Sequence, residues 1–558
     1  MIPVRIDKYL IAIWLICETI SPNAANAHNA VAHHISQIIQ TNASEKAFTC
    51  SKERICGVLL IPQFYQNRGW EPAWIASDGS LSGNARELID ALQSSPFEGL
   101  SPEIYHLPKI QTLVADMHLS SVPLDPDRLF QLAELDILLT DSFLLYASHL
   151  RSGRVNPETI HTEWVAFHPE IDLSAILTSV LMNGRISETL FQLNPPHPGY
   201  HRLKEALQNY RRIALTGGWE QIPSGPALKT GEKDPRIIML RKRLKISEDF
   251  PEPIPEEPSF FDAKLEQALK RFQRRHGLEA DGIAGKNTLT ELNKPIEQRI
   301  RQIEHNMERW RWIPHDLGRR YILVNIADFI LEVVEEGKRL LDMRVVVGRD
   351  FRRTPVFSET MKYIVLNPFW EVPFSIAVKD KLPLIQKDPA YLSKNNFRVF
   401  NGWEENAREI DPNSIDWSSI GRHNFIYRLR QDPGPENALG QIKFMFPNRF
   451  SVYLHHTPQR ELFDRTLRTF SSGCIRVEKP LDLAAYVLGN DPQWSVERIR
   501  KAIEAGDNRT IFLKHPIPVH LLYWTAWVDP DGVVNFWEDV YDRDVPLDQA
   551  LKEKLPDS

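Results

Sequence analysis

Near residue 321 the hydrophobic pattern of this chain changes period, and no single layer of secondary structure accommodates both halves. Before it, apolar residues recur three and four apart, as on helices. After it, they form short runs bounded by Gly, Pro and Asp clusters, as in strands. A chain of 558 residues also exceeds what one core fills, so two to four domains are expected. The fold class expected is therefore α+β and multidomain, with a mainly β domain over residues 321–545, a small three-helix unit over 228–295 and a mainly helical region over 28–226.

The helical region is clearest at Asp125-Pro126, an N-cap followed by proline at the first helical position. Leu129, Leu132, Leu139, Phe143, Tyr146 and Leu150 then share one face, and Gly153 marks the stop. Glu134, Asp136 and Asp141 interrupt the run, so this is a core helix and not a membrane span. No catalytic constellation occurs here, and the region reads as a scaffold. Gly217-Gly218 and Pro223-Ser224-Gly225-Pro226 form a linker. Beyond the small unit, a helical connector over 296–320 leads into strands at 321–327, 331–334, 340–347, 363–366, 451–454 and 510–513, with a last hairpin of 519–528 and 533–541.

At the N-terminus, Arg5 and Lys8 precede an apolar run over residues 9–17, and Ala25-Asn26-Ala27 offers a small-x-small cleavage site. The run is far short of the ~20 residues that span a bilayer, which makes residues 1–27 a secretory signal peptide. Glu18 directly after the run keeps an uncleaved anchor as the alternative. Export to a periplasm is the expectation. It would remove Cys17 and leave Cys50, Cys56 and Cys474. Cys50 and Cys56 enclose five residues and could close a disulfide loop, two free buried thiols being the other reading. Cys474 is then unpaired, a flag for reactivity. The net charge of −6, without a long basic block, argues against a nucleic-acid partner.

In the small unit, Asp234-Pro235 starts a helix with Ile237, Leu240 and Leu244 inward, and a Pro/Glu-rich loop follows over 251–258. Asp262 caps a second helix carrying Leu265, Ala268, Leu269 and Phe272. The string Ala268, Phe272-Gln273, Gly277-Leu278, Asp281-Gly282, Gly285, Thr288, Leu292-Asn293 closely resembles the peptidoglycan-binding domain of cell-wall enzymes, a three-helix module. The Pro/Glu-rich insertion departs from the compact form of that module.

The chemistry-bearing residues lie in the β region. Tyr453-Leu454-His455-His456-Thr457-Pro458 is followed, nineteen residues after His455, by Ser471-Ser472-Gly473-Cys474-Ile475-Arg476-Val477. A thiol near its ordinary pKa of ~8.5 is mostly protonated at neutral pH, so a nucleophilic cysteine needs a base or a positive field. His455 is the candidate base and Cys474 the candidate nucleophile, the pair held as thiolate and imidazolium. The backbone N–H groups of Ser472, Gly473 and Cys474 are candidate oxyanion donors. Arg476 would bind a substrate carboxylate or steady the loop, and Tyr453 and Ser471 are further candidates for substrate contact. A zinc site on His455, His456 and Cys474 is the alternative chemistry, but adjacent histidines are poorly placed to chelate one ion.

The string resembles the catalytic signature of L,D-transpeptidases: a histidine, a spacer of this length, then Ser-x-Gly-Cys-Ile-Arg. Gly348 with Thr354-Pro355, Asn367-Pro368-x-Trp370-x-Val372-Pro373, and the run from Pro447 to His455 are similar to the large Gram-negative members. Those members share the order of signal, helical scaffold, peptidoglycan-binding module and catalytic domain. Many members carry His directly before the Gly-Cys pair, where this chain has Ser472 as in the large subgroup, and His456 follows the base. What orients the His455 imidazole is left open, a backbone carbonyl being one candidate, and His456 reads as a structural or rim residue. The resemblance implies a capping subdomain over about 379–444 and a two-step acyl transfer without cofactor or metal. Cys474 would attack the L,D bond of a tetrapeptide stem and release D-Ala, after which an amine of a neighbouring stem would form a 3→3 cross-link. Carbapenems would acylate the same thiol. Water, a lipoprotein amine or a D-amino acid are alternative acceptors, and a non-catalytic wall-binding scaffold is the alternative class. Peptidoglycan stem peptides and glycan are the expected partners, with a cell-wall synthase as an open one.

Overall fold

Pro126 opens a helix that runs to Ser152 (α1), and the Asp125 carboxylate accepts from the Arg128 N–H at 2.9 Å, the N-cap expected from the sequence. The computed structural model describes residues 22–553 apart from 43–47, 120–124, 168–170, 251, 252, 254, 389, 490 and 492. The apolar run at 9–17 lies outside the described residues, while the expected cleavage site at 25–27 falls at the start of a helix, Pro22–Asn42. Two compact units divide the chain.

Among the described residues, the first unit takes 22–151 and 171–194. Helix α1 is its axis, with Leu132, Leu139, Phe143, Leu150 and their neighbours forming one apolar core with Trp74, Leu88 and Ile110. The acidic residues inside this helix hold loops. Asp136, fully buried, accepts the N–H groups of Ala73, Trp74 and Ile75, and Asp141 accepts those of Cys56 and Gly57. Among the described residues no helix is long and apolar enough to cross a membrane. The Cys50–Cys56 disulfide is corrected: both thiols are free. Cys50 is turned into the core with its thiol toward the Glu134 carbonyl, while the Cys56 amide is anchored on Asp141.

The second unit takes 152–169 and 195–554. Its helix Pro198–Leu215 (α2) falls inside the stretch read as scaffold, yet it packs with helix Ile296–Arg311 through Tyr200, Leu203, Leu207, Ile303 and Met307. Between them lie Arg236–Ile246, Ala263–Arg275 and Lys286–Leu292, whose inward residues Leu240, Leu244, Leu269, Phe272 and Leu292 make a separate small core. Gln273 explains the motif here: its amide donates to Asp281, the Ile283 carbonyl and Thr288, and its carbonyl accepts the Gly282 N–H.

The β region is built on Arg320–Asn325 (β1), Ile330–Glu335 (β2), Lys338–Gly348 (β3) and Phe357–Leu366 (β4). Next come Trp370–Glu371 (β5), Phe397–Asn401 (β6), Glu409–Ile410 (β7) and Tyr427–Gln431 (β8). Ile442–Met445 (β9), Leu454–His455 (β10), Thr469–Ser471 (β11), Ile475–Val477 (β12) and Arg509–Leu522 (β13) complete the set. A nine-stranded sheet runs β11-β3-β12-β10-β9-β4-β13-β1-β2, and β2 pairs with β3 as well, so the sheet closes around one core. The expected strand 510–513 and the first part of the expected strand 519–528 are one strand here, Arg509–Leu522. The ladder with β4 continues past Pro516 and Pro518, with an irregularity between Phe512 and Ile517. The last hairpin shortens to Ala526–Val528 and Val534–Phe536. Between β4 and β9 the chain forms a separate four-stranded sheet, β5-β8-β6-β7, over its own core of Val372, Ile385, Leu392, Val399 and Leu429.

Candidate active site

Strand register decides which side chains meet. Strands β10 and β12 are parallel, with Leu454 opposite Ile475 and His455 opposite Arg476. Side chains alternate along a strand, so Leu454 and Ile475 point into the closed sheet, where both are fully buried. Tyr453, His455, Cys474 and Arg476 are left together on the opposite face. Strand β9 is antiparallel to β10 and sets Lys443 opposite His455, adding it to that face. All five line one cleft of about 1090 Å3, walled on one side by Trp370, Lys381, Tyr391 and Phe397 from the inserted sheet and its flanking segments. The insertion thus borders the cleft, as a cap would.

The imidazole is oriented by the backbone. His455 Nδ1 lies 2.6 Å from the His456 carbonyl oxygen. A carbonyl only accepts, so Nδ1 carries the proton and Nε2 is left as the acceptor. Burial first, then the Arg476 and Lys443 cations, push the His455 pKa down to about 3. The free site therefore holds a neutral imidazole, and the imidazolium expected in a resting ion pair is disfavoured. The His456 ring accepts the Gln441 N–H at 3.2 Å and packs under Gly440, which gives it a structural place.

Cys474 is half-buried, and its thiol faces the Ser451 carbonyl at 3.9 Å. Desolvation raises its pKa, opposed by the backbone N–H and hydroxyl of Tyr453 and by the Lys443 and Arg476 cations. The loop before it is braced from several sides. Ser471 Oγ donates to the Cys474 carbonyl and accepts the Gly473 N–H at 3.1 Å. That bond commits one of the three expected oxyanion donors, leaving the Ser472 and Cys474 amides, and gives Ser471 a bracing role beside its place in the cleft wall. Gly473 has φ +111°, a conformation that a side chain strains. Arg476 donates to Gln459 Oε1 at 2.7 Å, while its buried Nε has no partner among the described residues.

Several residues that sequence reasoning left without a role hold this loop. Thr354 Oγ1 accepts the Gly348 N–H and donates to the Gly473 carbonyl, both at 2.9 Å, and Tyr541 donates to the Gly348 carbonyl at 2.6 Å. A Cβ on Gly348 would sit 2.1 Å from the Arg352 carbonyl oxygen, so only glycine fits. Arg352 donates to Ser472 Oγ at 2.9 Å and pairs with Asp380 of the inserted region. Lys443 was missed altogether. Its strand was legible only once paired, and a lone lysine between Ile442 and Phe444 carries no motif of its own.

Comparisons with known proteins agree with this arrangement. Residues 319–503 match the family model of the L,D-transpeptidase catalytic domain, residues 60–207 that of a scaffold domain, and residues 233–292 that described as "Putative peptidoglycan binding domain". A Haemophilus influenzae protein named "Putative L,D-transpeptidase" is 36% identical over 245 residues, 44% of this chain and 48% of that protein, so the match spans about half the length of this relative. A general secretion pathway protein A of Aeromonas hydrophila is 45% identical over 49 residues, 9% of each chain. A solved L,D-transpeptidase fragment from Xylanimonas cellulosilytica aligns over 54% of this chain and 98% of its own, at 15% identity and a TM-score of 0.16, a likeness that carries no argument. By its cleft, its loop and these matches, the chain carries an L,D-transpeptidase catalytic domain, preceded by a scaffold domain and a peptidoglycan-binding domain.

Proposed function

We propose that the protein is a periplasmic L,D-transpeptidase that forms 3→3 peptidoglycan cross-links through an acyl-enzyme on Cys474. The observation that carries the reading is the shared face of β10 and β12, with His455 and Cys474 on one cleft floor and the imidazole held as a base by the His456 carbonyl. In the first step His455 Nε2 takes the thiol proton as the sulfur attacks the carbonyl between the diamino acid and D-Ala. The tetrahedral oxyanion is met by the Ser472 and Cys474 amides. D-Ala leaves with the proton from His455, and a thioester remains. In the second step the side-chain amine of a neighbouring stem attacks the thioester, loses its proton to His455 and releases the thiol. Residues 1–27 act as the export signal, and the peptidoglycan-binding domain keeps the enzyme on the wall.

Incubation of the purified protein with a carbapenem, followed by intact mass, tests the nucleophile. A drug-sized adduct on the wild type and none on Cys474→Ala is expected. Disaccharide-tetrapeptides supplied as the only substrate should then yield dimers that have lost one D-Ala. Dimers formed equally by Cys474→Ala would sink the mechanism, and tripeptide monomers alone would point to water as the acceptor.

A further inference from the structure

Lys443 stands on the cleft face without the company that a half-buried cation normally keeps. Among the described residues no carboxylate pairs with its ammonium; burial lowers its pKa, and the charge of Cys474 opposes this. Its ammonium rests 3.9 Å from the centre of the Tyr453 ring. Withdrawing an ammonium from water without an anion is unfavourable, and such a group in a cleft marks a place where negative charge forms. Tyr453 lies one residue before the Leu454–Ile475 pair, beside Cys474 in the parallel register, and hydrogen bonding from it opposes the rise in the Cys474 pKa. A cation over the face of a phenol draws electron density from the ring and makes the hydroxyl a stronger donor.

Of the other charged and titratable groups around the thiol, Arg476 is the second cation that acts on it. From β10, His455 and His456 are both held neutral by burial. From β12, Arg476 donates to Gln459 and faces Arg349 and Glu461 at the rim, and its cation also acts on Cys474. We propose that Lys443 is a positioning residue for the nucleophile: acting through the Tyr453 ring and hydroxyl, its ammonium is a counter-charge of the Cys474 thiolate, beside Arg476. In the step concerned the S–H bond breaks, the proton passes to His455 Nε2, and Lys443 keeps its own protons throughout. This rests on the reading of Cys474 as the nucleophile.

The test is the pH dependence of Cys474 alkylation by iodoacetamide, an uncharged probe, followed on the Cys474 peptide in the full-length wild type, Lys443→Met and Lys443→Arg. Methionine keeps the length of the side chain and removes a desolvation cost, so folding is retained, and a thermal melt checks it. The midpoint should rise by at least about one pH unit in Lys443→Met, which lowers alkylation near neutrality about tenfold. Lys443→Arg should restore most of the wild-type profile, and carbapenem acylation should fall in parallel. A Lys443→Met midpoint equal to that of the wild type overturns the proposal while leaving the nucleophile in place. A folded wild type whose Cys474 is not alkylated at any pH overturns both.

Discussion

Thr354→Val is the substitution whose consequence is most directly set by the geometry. The side chain is fully buried, and valine reproduces its shape, so almost nothing changes except the hydroxyl. That hydroxyl serves two partners, the Gly348 N–H and the Gly473 carbonyl, each at 2.9 Å. Leaving a buried polar group unpaired costs about 1–3 kcal/mol, so two orphaned groups amount to about 2–6 kcal/mol. In a domain of this size each kcal/mol moves the midpoint by about 2–4 °C, and a drop of at least about 4 °C is expected in the catalytic-domain transition. The same loss frees the Gly473 carbonyl directly before Cys474, and on the proposed mechanism a displacement of about 1 Å there would slow acylation about a hundredfold. Differential scanning calorimetry and carbapenem acylation read the two effects, with Thr354→Ser as the variant that keeps the hydroxyl. A Thr354→Val protein melting within 1 °C of the wild type, by an about-unit scale of resolvable shift, and acylated at its rate would refute the role assigned to this bond.

Gly473→Ala meets no steric block, since the nearest atoms to a Cβ are carbonyl oxygens at 3.6 and 3.8 Å, but its φ of +111° should cost about 1–3 kcal/mol and slow acylation by tenfold or more; an unimpaired variant would show that the loop tolerates another conformation. Because burial and two cations depress His455 to about 3, its neutral base form persists through pH 5–7, and the acylation profile should have no acid limb near 6.5. An acid limb at that pH would contradict this electrostatic reading. In the first unit His106 is desolvated, which lowers its pKa, but Asp141 at 2.8 Å and Glu53 at 3.1 Å together outweigh this and raise it above 6.5. A raised folded-state pKa contributes stability that is fully present below 6.5 and lost as pH rises through the folded value. His106→Gln should flatten that dependence of the scaffold's denaturant midpoint, and an unchanged slope would exclude His106 as its source.

Domain chemistry was legible in this chain because it is local. The helix at Asp125-Pro126 depends on a cap and a 3.6-residue period, the small module on Gln273 answering Asp281, Gly282 and Thr288 within one turn-rich stretch, and the Cys474 loop on a string of adjacent residues. Composition and pattern likewise announced the change from helices to strands. What they could not announce depends on partners far away in sequence. The pair of prolines at 516 and 518 reads as a break, yet the ladder with β4 carries the strand past them. Cys50 and Cys56 are close in sequence, but the core and Asp141 hold them apart in role. Lys443 joins the site only through the pairing of β9 with β10, and Thr354 reaches Gly473 only because β3 and β12 are neighbours. The sequence by itself determined which residues are candidates for the chemistry, His455 and Cys474 among them. The tertiary structure decided their charge states, because burial and neighbouring cations belong to the packed sheet, where a one-residue change of register would turn every one of these side chains to the other face.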